Sequence, residues 1–81
     1  MHRNLKNIKL ATFRKFLEYK GLKKIRTAGG HEVWSRSDLT RPVVLQSHKD
    51  PIPEFVIKSN LQTINADKQE LIDFLSESFR K

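Results

Sequence analysis

Apolar residues along the 81-residue chain recur at two different periods, and the change of period marks out its elements. Leu10, Phe13, Phe16 and Leu17 fall at helical spacing, with Thr12 as a candidate N-cap and Gly21 placed to end the helix. From Leu22 to Ala28 the pattern is strand-like, and Gly29-Gly30 separates it from a second such run, His31 to Ser35. Two residues that tolerate positive φ between two strand-like runs predict a tight hairpin. Arg36 to Arg41 is mostly polar and stops at Pro42, which reads as a loop, and Val43-Val44-Leu45 is a third short strand. Gln46 to Pro53 reads as a loop that carries His48 and two prolines. Pro53 suits the first position of a helix whose apolar side is Phe55, Val56, Ile57 and Leu61. Asn65 is a candidate cap for a last helix with the stripe Leu71, Ile72, Phe74, Leu75 and Phe79. The order helix, three strands, then one or two helices predicts an α+β fold: a three-stranded antiparallel sheet with helices packed on one face.

Length and composition narrow this further. The chain forms one domain, residues 1–81, with residues 1–9 expected as a flexible basic N-terminus. A domain this small buries only about 60% of its unfolded surface, so its core is thin. With 37% hydrophobic and 31% charged residues the chain is expected to fold and not to stay disordered. No apolar run is long enough for a membrane span, and no secretion signal follows the basic start, so the expectation is a cytoplasmic protein. Cysteine is absent, which excludes disulfide staples and thiolate zinc sites.

Charge changes the picture from fold to function. Lys and Arg number 16 against 9 Asp and Glu, a net of +7. Residues 1–26 hold nine basic side chains (Arg3, Lys6, Lys9, Arg14, Lys15, Lys20, Lys23, Lys24 and Arg26) against Glu18 alone. The remaining residues are close to neutral. A field this one-sided attracts polyanions, of which nucleic acid is the commonest in a cell, although a basic face also keeps a protein soluble.

The histidines carry the candidate chemistry. His2 lies at the terminus, whereas His31 is the first residue after Gly29-Gly30, at a sheet corner that a phosphate can approach closely. By strand alternation His31 shares a face with Val33, and Glu32 shares the other with Trp34. RNA brings its own nucleophile, the 2′-hydroxyl, so its cleavage needs neither a metal nor a cofactor. It needs a proton acceptor near neutral pH, positive charge for the phosphorane, and a proton for the leaving oxygen. Histidine, with an ordinary pKa of about 6.5, fits the first or third role, and Lys23, Lys24 and Arg26 fit the second. Without family context, a hairpin-capping hydrogen bond is the favoured reading of His31. His48, in Gln46-Ser47-His48-Lys49-Asp50-Pro51, fits a second proton-transfer group, a substrate contact or a loop-holding side chain. A metal site on His31, His48 and Asp50 has no recognised ligand spacing behind it. Trp34 beside basic residues suits base stacking, yet a lone Trp in so small a domain suits the core better. Asp67, Glu70, Asp73 and Glu77 read as a solvated helix face.

The chain resembles the HicA toxins of bacterial type II toxin–antitoxin systems. The resemblance begins after Lys9 with a short helix ending in Gly21-Leu22 and a basic strand to Arg26, followed by Gly29-Gly30-His31-Glu32-Val33-Trp34. It continues through Arg41-Pro42-Val43-Val44-Leu45-Gln46-Ser47-His48 and Pro51-Ile52-Pro53-Glu54-Phe55-Val56-Ile57 into the closing helical region. The resemblance implies a double-stranded-RNA-binding-domain-like α-β-β-β-α fold and endonucleolytic, ribosome-independent mRNA cleavage. It also implies a HicB-type antitoxin that covers the active site, and it maps the essential histidine onto His31. Lys23, Lys24, Arg26, Gly29, Gly30 and His48 are the residues expected to contact RNA. Many members carry Ser or Thr before that histidine, where this chain has Gly30. The longer C-terminal helical part offers further packing or a homo-oligomer contact. A non-catalytic RNA-binding module on the same fold is the alternative function, and a protein whose basic surface mainly fits an acidic partner is another.

Overall fold

The helical period starting at Leu10 and the alternation after Gly21 build the elements that their spacing predicts. A computed structural model describes residues 5–79, with side chains up to residue 76. Helix α1 spans Leu10–Tyr19, strands β1, β2 and β3 span Lys23–Ala28, His31–Ser35 and Val43–Gln46, and helices α2 and α3 span Glu54–Thr63 and Lys68–Phe79. The sheet is a fully antiparallel meander in the order β1-β2-β3. The fold is therefore α+β, and its closing part is two helices. His2 and the side chains of Glu77 and Phe79 lie outside the described residues. No helix among the described residues is long and apolar enough to cross a membrane.

One sheet face is sealed. Trp34, Val43 and Leu45 are each at most 3% exposed and meet Phe13, Phe16 and Leu17 of α1, Ile57 and Leu61 of α2, and Leu71 and Leu75 of α3 in a single core. Each such apolar side chain contributes about 1.5–3 kcal/mol by leaving water. Helices α1 and α3 are joined by the Phe16–Phe74 edge-to-face pair, with centroids 5.4 Å apart, and by the Tyr19–Phe74 contact at 5.2 Å. A Lys20–Glu70 ion pair closes the same seam.

Several expectations about element ends need correction. Residues 5–9 are not a flexible arm: Leu5 and Ile8 are buried in the core, and the Ile52 N–H donates to the Ile8 carbonyl at 2.9 Å. Helix α1 starts two residues before Thr12, so Thr12 is not its cap. The Leu10 N–H instead donates to Asp50 Oδ1 at 2.9 Å, a cap supplied from 40 residues away. Helix α2 starts at Glu54, which moves Pro53 from the first turn to the cap position. Asn65 does not cap α3 but takes a left-handed φ of 59° at the exit of α2. Asp67 is the cap: its Oδ1 accepts the Glu70 N–H at 2.9 Å while Glu70 Oε1 accepts the Asp67 N–H at 3.3 Å, a reciprocal capping box.

Candidate active site

The site begins with the turn. Gly29 and Gly30 have φ of 57° and 81°, a pair of left-handed residues that matches the twist of the two strands and sets His31 directly after the turn. The turn is then clamped from outside. The Gly30 carbonyl accepts two hydrogen bonds from Ser47, one from its N–H and one from its hydroxyl, both at 2.8 Å. His48 follows against the same glycine: its Nδ1 lies 3.6 Å from where a Cβ on Gly30 would stand. His31, Gly29, Gly30 and His48 thus gather at one corner, although 17 residues separate the two histidines.

The rest of the site follows from register. His31 pairs with Ala28 on one side and Gln46 on the other, and Val33 with Arg26 and Val44. Partners across a ladder share a face, so His31, Val33, Val44, Gln46 and Arg26 belong to the sheet face that the helices do not cover. A bulge between Lys24 and Arg26 leaves Ile25 unpaired in the ladder, and so reverses the alternation along β1. Lys23, opposite Ser35, therefore lies on the same face as Arg26. Lys24, opposite Trp34, lies on the other. Two of the three basic residues expected at the site share the face of His31, and the third does not.

Four basic side chains are committed to ion pairs elsewhere. Arg14, Lys20, Arg36 and Lys58 pair with Glu32, Glu70, Asp38 and Glu54. Lys23, Arg26 and Lys49 make no ion pair with any described residue and are exposed. They are free to meet an anion. Arg14, one of the nine basic side chains of residues 1–26, is instead tied to the buried Glu32.

Directly beneath His31, on the sealed face, Glu32 is 3% exposed and remains charged. Arg14 grips it through two hydrogen bonds, the Nε one at 3.0 Å, and the Trp34 indole donates to it at 3.1 Å. Those Arg14 bonds hold the carboxyl below its ordinary range against burial, which pushes it up, while Trp34 adds to the lowering. The same bonds raise the Arg14 guanidinium. Trp34, 3% exposed and committed to Glu32, belongs to the core and not to base stacking.

A cleft of about 440 Å³ opens beside the histidine, between β3 and the start of α2. Its lining includes His31, Val44, Gln46, Lys49, Phe55 and Val56. Gln46, Lys49 and Phe55 carried no local sequence signal for a site: they enter through the His31–Gln46 register and the fold of the loop. Phe55, expected on the apolar side of α2, is 74% exposed. Among the described residues no group of three or more His, Cys, Asp or Glu side chains is placed to hold a metal ion. The chain was compared with protein-family models, curated proteins and solved structures, and none of them matches it.

Proposed function

We propose that this chain is a HicA-type endoribonuclease toxin that inhibits translation by cutting mRNA, with His31 as its essential side chain. The observation that carries the reading is the exposed His31 at a clamped hairpin corner, with His48 beside it and Lys23 and Arg26 on its sheet face. In this reading His31 takes the proton of a ribose 2′-hydroxyl as that oxygen attacks the adjacent phosphorus. The P–O5′ bond breaks, leaving a 2′,3′-cyclic phosphate and a 5′-hydroxyl. His48 or a water molecule supplies the proton that the departing 5′-oxygen needs. Arg26 and Lys23 offset the charge that builds on the phosphorane. No step calls for a metal or a cofactor. The reading also places the protein in the cytoplasm with a HicB-type antitoxin as its partner, its acidic surface set against the same basic face.

The decisive experiment expresses the chain and its His31→Ala variant without antitoxin and follows both growth and RNA integrity, the latter with purified protein in EDTA. Growth arrest and RNA cleavage by the parent, absent in the variant, are expected. Equal toxicity of the two would remove His31 from the chemistry. RNA that is bound with steep salt dependence yet stays intact would instead favour the non-catalytic RNA-binding module.

A further inference from the structure

The cleft beside His31 has a composition that phosphate chemistry alone does not call for. Its walls are apolar, with Val44 42% exposed and Phe55 74% exposed at its edge. Helix α2 presents Phe55 to solvent while it buries Ile57 and Leu61, so the ring contributes little to the core. Two polar groups face the same space. Gln46, opposite His31 in the ladder, carries an amide with both donors and an acceptor, and Lys49 carries a free cation. An aromatic ring, an amide and a cation around one apolar cleft match the three parts of a nucleotide: a π-face, a hydrogen-bonding edge and a phosphate.

We propose that Phe55 and Gln46 form the base subsite of the proposed ribonuclease, which determines which nucleotide sits beside the phosphate at His31. This rests on the RNA-cleaving reading and deepens it. Phe55 stacks on the base next to the cleaved bond, Gln46 hydrogen-bonds its edge, and Lys49 holds the neighbouring phosphate. Because every base has a π-face, Phe55 governs affinity for any sequence, whereas Gln46 governs preference among bases.

The test uses the full chain carrying His31→Ala, which holds RNA without cutting it, and single-stranded oligoribonucleotides containing the fluorescent base 2-aminopurine. Stacking quenches that fluorescence, so titration reports both affinity and stacking. The parent background is expected to quench, and an added Phe55→Trp to quench as well. An added Phe55→Leu is expected to lose the quenching and weaken binding about 5- to 150-fold, the equivalent of about 1–3 kcal/mol for one stacked base. Phe55 is exposed, so an unchanged Tm is expected to separate this from unfolding. In the active chain, Gln46→Ala is expected to flatten the distribution of cleavage sites. Unaltered quenching and affinity in Phe55→Leu would overturn the proposal, even if His31-dependent cleavage holds. Phe55-dependent quenching in a chain that never cuts RNA would sustain the subsite and overturn the cleavage reading instead. Loss of binding to a co-expressed antitoxin in Phe55→Leu, with RNA binding intact, would assign the cleft to a protein partner and also overturn the proposal.

Discussion

His31 and Glu32 are neighbours in β2, both titratable, and the two faces of one sheet give them opposite lives. Glu32 points into the helices, where Arg14 and Trp34 surround its carboxylate and keep it charged. His31 stands on the uncovered face, exposed, between a two-glycine turn and a cleft. A small domain cannot spare many buried residues, so the period of β2 divides its side chains: Glu32 and Trp34 are buried against the helices, while His31, Val33 and Ser35 lie on the uncovered face. The division predicts that substitutions one residue apart should separate stability from activity. His31→Ala is the sharpest case. General acid–base catalysis contributes about 10²–10⁴-fold, and that is the expected loss in RNA cleavage rate. Stability should move by no more than about 0.5 kcal/mol, as for other exposed substitutions, by urea unfolding. A large fall in stability would mean that the two faces are not independent.

The opposite result is expected for Arg14. Arg14→Met leaves the Glu32 carboxylate buried with only the Trp34 indole, which should cost about 1–3 kcal/mol in urea unfolding near pH 7. Arg14 is itself partly exposed, and solvent screening keeps the figure below that of a fully buried pair. The pH dependence follows from the lowered Glu32 pKa. Stability from a depressed carboxyl is present above its unfolded value of about 4.3 and is lost as pH falls through its lower folded value. The gap between the parent and Arg14→Met should therefore close on acidification below about pH 4.3, and a gap that widened there would show that Glu32 is not held charged.

The hairpin and the two faces of β2 were legible in the sequence because both are local: Gly29-Gly30 sets the turn, and alternation follows from it. The Arg14–Glu32 pair and the Asp50 cap were not, because they join residues 18 and 40 positions apart. The Asp67…Glu70 capping box is legible in the sequence, but Asn65 competes with it because its side chain suits a cap as well as a left-handed turn. The bulge at Ile25 had no signal. Strict alternation would put Lys23 and Arg26, three apart, on opposite faces, and only the ladder shows them on one. Gln46 reaches the site by its register opposite His31, and Lys49 by the fold of the loop after β3.

Gly30 is where the hairpin meets the resemblance, since many HicA members carry Ser or Thr there. A Cβ at Gly30 has room, with His48 Nδ1 at 3.6 Å and Ser47 Oγ at 3.8 Å. The φ of 81°, however, strains any L side chain. Gly30→Ser is expected to cost about 1–2 kcal/mol in thermal or urea unfolding, the usual penalty for a side chain in left-handed backbone. A neutral or stabilising result would mean that the turn relaxes and that the corner is less tightly held than its Ser47 clamp indicates.

The finest comparison is between Lys24 and Arg26, two cations two residues apart on opposite faces of β1 because of the bulge. Each phosphate neutralised on a single strand steepens the fall of log K with log salt by about 0.7. If the ligand lies on the face of His31, Arg26→Gln should flatten the salt dependence of RNA binding by about that amount. Lys24, directed towards the Glu32 side, should leave the slope unchanged when replaced by Gln. Neither exposed substitution should shift Tm appreciably, so fluorescence titrations over a range of salt concentrations read the contact and not the fold. Equal flattening by the two would place RNA around the β1 edge and not on one face, and the division of labour that separates His31 from Glu32 would then stop at β2.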